Sequence, residues 1–172
     1  MHTFLRLRLR KADRLTGLAG PARFRTASEH ALARGARTGR HSAVLLLDVN
    51  RFTEGDRILV ELAEVLRSCV PAGGLSCRLG GDRFAVVLPD LAFAEQAHDV
   101  AGAIASALAP VIVDGRLTPL SAGIGLAVAA PGELTHDELV DRAELAMHRA
   151  KRRAPETRWA VWQDDVSRRD AA

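Results

Sequence analysis

The chain reads as a mixed α/β protein, an α+β sandwich, on three observations. Apolar residues recur at helical spacing in several segments, short continuous apolar runs lie between them, and Gly- and Pro-rich turns separate the two kinds. At 172 residues, 48% hydrophobic and 26% charged, it has the size and composition of one domain with its own core. The longest apolar runs, residues 43–47 and 124–130, fall far short of the roughly 20 needed to span a bilayer. The N-terminus alternates Leu with Arg and contains no apolar signal core, so a soluble, cytoplasmic protein is expected.

The elements follow in order. Residues 21–36 place Phe24, Ala27, Ala31 and Ala36 near helical spacing, with Pro21 suited to a first turn. Residues 43–48 form an apolar run ending in Asp48, a buried strand that carries a carboxylate at its end. Residues 56–70 are helical, with Ile58, Leu59, Leu62, Ala63, Val65 and Leu66 as the inward stripe. After the break at 71–74, strands at 75–79 and 84–88 flank the tight turn Gly80, Gly81, Asp82, Arg83. A helix over 92–108 puts Phe93, Ala97, Val100, Ile104 and Leu108 on one side. Asp114 and Gly115 join a small hairpin, 111–113 with 116–118, and 120–129 is a strand containing Gly123 and Gly125. Thr135 and Glu138 have capping-box spacing and open a helix to about residue 153, with Leu139, Ala143, Ala146, Met147 and Ala150 inward. Residues 158–162 suit a last edge strand. The domain is thus expected over 13–163, between a basic extension (1–12) and a loose tail (164–172).

Charge excludes one class of partner. The 24 Lys+Arg exceed the 21 Asp+Glu by only three, and 22 of the cations are arginine. They cluster only at Arg6, Arg8, Arg10 and at Lys151, Arg152, Arg153, with no interleaved aromatics to stack bases, so nucleic acid is not an expected ligand. Cys69 and Cys77 form neither a disulfide framework nor a zinc site and read as small buried thiols in a reducing compartment. The alternation from Phe4 to Arg10 gives an extended segment one apolar and one cationic face. It either packs on the domain's flank or docks Leu5, Leu7 and Leu9 on a second chain, a copy of itself or an acidic partner.

Two carboxylates are the candidates for chemistry. If the strands carrying them are neighbours, Asp48 and Asp82 converge, as in sites that hold Mg²⁺, and the adjacent glycines let backbone N–H groups approach a phosphate. The plainer alternative is that Asp48 closes a strand and the Gly-Gly-Asp-Arg segment is an ordinary turn.

Gly80, Gly81, Asp82, Arg83 and Phe84, with Arg78 and Leu79 before them, resemble the signature of GGDEF domains, the diguanylate cyclase family. The opening Asp13-Arg-Leu-Thr-Gly-Leu18, the strand ending Asp48-Val49-Asn50-Arg51-Phe52, the strand at 121–125 and the late helix at 141–151 resemble four further motifs of that family, in its order. The resemblance implies a central mixed or antiparallel sheet flanked by helices, similar to the palm of polymerases and nucleotide cyclases. Active members condense two GTP into cyclic di-GMP across a dimer with Mg²⁺. Carried over, Asp48, the carbonyl of Val49 and Asp82 would hold metal. Gly80, Gly81, Asp82 and Arg83 would line the nucleotide phosphates, Lys151 would meet the terminal phosphate, and Asp56 the guanine edge.

The sequence departs from that pattern where chemistry needs it. The signature's fourth residue, a glutamate in active members, is Arg83. Thr53 replaces a phosphate-binding lysine, and Pro155 an arginine. Asp48 and Asp56 stand only eight apart, so the family's intervening segment with its guanine-binding Asn is missing. The product-inhibition motif R-x-x-D falls on Pro71, Ala72, Gly73 and Gly74. The expectation is a catalytically inactive, regulatory GGDEF domain that binds a guanine nucleotide, a protein partner or a second copy, with Mg²⁺ only if nucleotide binding survives. The alternative is residual cyclase activity within a dimer. Arg83 is expected to bridge Asp48 and Asp82 in place of metal.

Overall fold

The computed structural model describes residues 12–50, 55–152 and 158–162. Among them, four helices and seven strands follow as α1 (Pro21–Thr38), β1 (His41–Val49), α2 (Asp56–Cys69), β2 (Leu75–Gly80), β3 (Arg83–Leu91), α3 (Glu95–Ala107), β4 (Val111–Val113), β5 (Arg116–Thr118), β6 (Ala122–Ala129), α4 (His136–Lys151) and β7 (Arg158–Val161). One sheet has the order β2-β3-β1-β6-β7, and β4 with β5 forms a separate hairpin. Pairing is antiparallel except between β6 and β7. A central, mostly antiparallel sheet flanked by helices is the architecture the sequence predicts. The N-terminal segment with Leu5, Leu7 and Leu9, the tail, Thr53 and Pro155 lie outside the described residues.

Alternation on the strands assigns the two faces. Val44 and Leu46 of β1, Ala85 and Val87 of β3 and Ala127 of β6 pack under α1 and α4, with Phe24, Leu139 and Met147. Leu45 and Leu47, Phe84 and Val86, and Ile124 and Leu126 face α2 and α3 through Ile58, Leu62 and Ile104. Both faces are covered, so β1 is apolar along its length from Ala43 to Leu47. Polarity returns only at its end, with Asp48.

Three expectations need correction. β3 runs through Pro89, which the pattern placed after the strand. Pairing with β2 ends at Val87 and with β1 slips between His41 and Ala43, so no ladder needs the missing N–H. Phe93 is 66% exposed, not core. The Gln96 side chain accepts from Ala92 and Phe93 N–H, and α3 starts at Glu95. Cys77 is buried, and burial pushes its thiol up to about 12, but Cys69 is only partly buried.

Candidate functional site

The turn between β2 and β3 is built to bring its backbone close to the end of β1. Gly80 and Gly81 take φ of 129° and 53°, values open to glycine and costly for other residues. The Asp82 carbonyl accepts from Val49 N–H at 3.0 Å, and Asn50 N–H donates to the Ser121 carbonyl at 2.9 Å. The exit of β1 is therefore clamped from both sides.

The turn is braced from behind by Arg78, which the sequence reading left without a role. Its guanidinium donates to the Gly81 carbonyl at 2.9 and 3.2 Å and to Asp13 at 3.1 and 3.2 Å. Asp13 in turn accepts from the Thr16 N–H and hydroxyl at 2.8 and 2.7 Å. Burial pushes the Asp13 carboxyl up, but these donors outweigh it and hold it below its ordinary value. The opening motif is thus a closed turn that fixes the hairpin tip through one arginine. Its short-range Asp-x-x-Thr spacing was the available sign.

Asp48 and Asp82 do converge. Burial first, then the neighbouring Asp48 carboxylate, raises the Asp82 carboxyl above its ordinary value, with Lys151 opposing. Asp48 is flanked across the sheet by Arg83 on β3 and Gly123 on β6, so all three share the face under α4. Lys151, the last residue of α4, places Nζ 2.8 Å from Asp48 Oδ2. Its stem passes over Gly123, where any Cβ would collide with Lys151 Cγ. Arg83 does not bridge the two aspartates as expected. It pairs instead with Glu144, which also lies 3.2 Å from His148 Nε2. The reason is reach: α4 presents Glu144 directly over the β3 end, at a position unremarked in the sequence.

The remaining predicted residues divide. Val49 joins the cluster through its N–H, whereas Asp56 is exposed in the first turn of α2 with none of these contacts. Pro71 and Gly74 line a cavity of about 450 Å³ with Arg23, Arg67, Gly17 and Ser76, while Arg67 is committed to Glu64 and the Thr16 carbonyl.

The resemblance implies magnesium here, and the donor set can be tested against it. Asp48 Oδ1 is buried without a hydrogen-bond donor, which favours a cation. Against it, the other Asp48 oxygen already carries an ammonium, and a guanidinium stands where a third carboxylate is implied. No group of three or more His, Cys, Asp or Glu among the described residues is arranged to hold a metal. The residues do not fit a pair of magnesium ions.

Comparison with known proteins identifies the family. Diguanylate cyclase TpbB of Pseudomonas aeruginosa is 36% identical over 153 residues, covering 83% of this chain and 35% of that protein. A signalling protein of Caulobacter vibrioides is 33% identical over 156 residues, covering 83% of this chain and 19% of its own length. The chain thus spans about a third or less of these relatives. Among solved structures, TpbB reduced to its GGDEF domain superposes with a TM-score of 0.83 at 33% identity, over 91% of this chain and 97% of that one. Diguanylate cyclase SiaD of Pseudomonas aeruginosa, solved with its activator SiaC, gives 0.76 at 28% identity, over 87% and 62%. The family model described as diguanylate cyclase, GGDEF domain, matches residues 10–157, and the chain belongs to that family.

Proposed function

We propose that this GGDEF domain makes no cyclic di-GMP itself and serves cyclic di-GMP signalling in the cytoplasm as a regulatory module that binds a guanine nucleotide or a protein. The observation that carries the reading is the Arg83–Glu144 ion pair at the fourth signature position. In-line attack on an α-phosphate needs metal to offset the negative charge on its oxygens, and metal needs carboxylates. Here that position is a cation already neutralised by α4. Residues 50–55, all that joins β1 to α2, leave little chain for a wall of a base pocket. Loss of one electrostatic contact to developing charge typically costs about 10²–10³ in rate, and several are altered.

A protein ligand gains support from SiaD, a GGDEF protein solved with its activator bound. The enzyme reading rests on the retained Asp48, Asp82 and Lys151 and on relatives that are cyclases. Incubation of purified protein with GTP and Mg²⁺, followed by chromatography, separates the two. No cyclic di-GMP above a no-enzyme control is expected, and product at ordinary cyclase turnover overturns the proposal. Melting against GTP, GDP, cyclic di-GMP and (p)ppGpp, with and without Mg²⁺, then distinguishes a nucleotide-binding module from a protein-binding one.

A further inference from the structure

Three pieces of chain frame the cavity of about 450 Å³: the turn at 12–19, the C-terminal end of α2, and residues 71–76 leading into β2. Its size falls among small-molecule pockets, roughly 300–1,000 Å³. The frame is fastened by its own hydrogen bonds. Arg67 of α2 donates to Glu64 and to the Thr16 carbonyl. Ala19 N–H donates to the Ser76 carbonyl at 3.3 Å, and the Ala19 carbonyl accepts from Arg78 N–H at 2.9 Å. Two glycines let the pieces approach. A Cβ at Gly17 would stand 3.1 Å from Arg67 Nη2, and one at Gly74 only 2.6 Å from Val70 Cγ1.

The lining divides by chemistry. Leu18 and Ala19 are buried and Val70 and Leu75 half-buried, which gives an apolar floor, whereas Arg23 and Arg67 are exposed at the rim. No carboxylate lines the cavity among the described residues. Arg67 is committed to the frame. Arg23 has no hydrogen-bond or ion-pair partner among the described residues, and its charge reaches the Cys77 thiol on β2. Residues 71–74 supply no charge, so the positive rim comes from α1 and α2 and not from an R-x-x-D pair.

We propose that this cavity is a second ligand site, which takes a small organic anion with its apolar body on Leu18, Val70 and Leu75 and its carboxylate or phosphate group on Arg23. The site shares no residue with the Asp48–Asp82 centre and stands whether or not the domain turns over GTP.

Titration of the nitrogen-15-labelled full chain with phenyl phosphate and with phenylacetate, followed by amide NMR, tests it. Saturable shifts are expected at Gly17, Leu18, Gly74, Leu75 and Ser76 and not at Gly80 or Gly81, and the tighter probe names the head group. Inorganic phosphate lacks the apolar body and benzyl alcohol the charge, so each is expected to bind at least about tenfold more weakly. Arg23→Gln is expected to weaken the tighter probe by about tenfold or more. Arg37→Gln removes a guanidinium from the far end of the same helix and is expected to leave it unchanged. Neither arginine is exposed to a loss of packing, since both side chains lie at the surface, and both variants should melt as the wild type does. The proposal is overturned if neither probe saturates at these amides, or if Arg23→Gln binds as well as Arg37→Gln. It is overturned equally if cyclic di-GMP displaces the tighter probe from them, which would assign the cavity to the family's product. None of these results bears on product formation from GTP, which the cyclase assay reads separately.

Discussion

Two adjacent rows on the sheet face beneath α4 share one layout and hold opposite contents. The inner row runs Ala85, Leu46, Gly125 and lies under Ala143 and Met147. The outer row runs Arg83, Asp48, Gly123 and lies under Glu144 and Lys151. Each row ends in a glycine, for a different reason. A Cβ at Gly125 would collide with the Ala143 carbonyl and the Met147 backbone, which cannot yield without moving the helix. A Cβ at Gly123 would meet only the flexible stem of Lys151. The inner row therefore fixes where α4 sits, and the outer row fixes only which charges it delivers. Steric fit sets the helix, and the site's electrostatics ride on it.

The largest effect should come from setting the two glycines against each other. Gly125→Ala is expected to cost about 3 kcal/mol or more, at the upper end for overpacking against backbone. Gly123→Ala should cost less than about 1 kcal/mol, since a rotamer change relieves it. Urea denaturation of both variants checks the contrast, and equal losses would break it.

A middle-sized effect belongs to the outer row alone. Arg83→Glu sets a carboxylate against Glu144 and beside Asp48, with an expected loss of about 1–2 kcal/mol, moderated because both partners are about one-third exposed. Adding Glu144→Arg reverses the pair and should recover much of it, with a coupling of about 1 kcal/mol in a double-mutant cycle. A coupling near zero would show that the pair adds nothing beyond solvent-screened charge.

The smallest effect lies at the far end of α4, away from both rows. His136 packs edge-on against Phe24, with ring centroids 5.4 Å apart, and its Nδ1 is buried without a partner. Burial, and then Arg25, hold its pKa below the ordinary 6.5, with Asp137 and Glu29 opposing. On acidification the unfolded chain takes up this proton first. Stability should therefore fall as pH drops through 6.5 and level off below the native value. His136→Phe should flatten that slope in melts between pH 7.5 and 5 while leaving the glycine contrast unchanged.

Periodicity carried the elements but not their meetings. The apolar run before Asp48, the two-residue turn at Gly81 and Asp82, and the capping box at Thr135 are local, and each folds as its neighbours dictate. Pro89 escaped because its tolerance depends on where two partner strands stop, which lies elsewhere in the chain. Phe93 escaped because a glutamine three residues on begins the helix late. In the site, the convergence of Asp48 and Asp82 was legible as a condition on strand order. Arg83 with Glu144 was not, since the pair is 61 residues apart and no pattern on α4 marks one polar residue above its neighbours. Gly123 and Gly125 were visible as glycines, but their purpose depends on which helix lies across them.

The sheet order has a consequence for synthesis. β1 takes its place only when β6 pairs with it, and Leu45 meets Leu126, a segment made 81 residues later. At ribosomal rates of about 5–20 residues per second, that is a wait of roughly 4–16 s. Over the last 40 residues of it, from Val86 to Leu126, or roughly 2–8 s at those rates, the apolar strand lies with one edge open beside its hairpin partners, the geometry from which strands recruit other chains. The nascent polypeptide is thus most prone to aggregate between emergence of β3 and of β6, and chaperone dependence should concentrate in that window of translation.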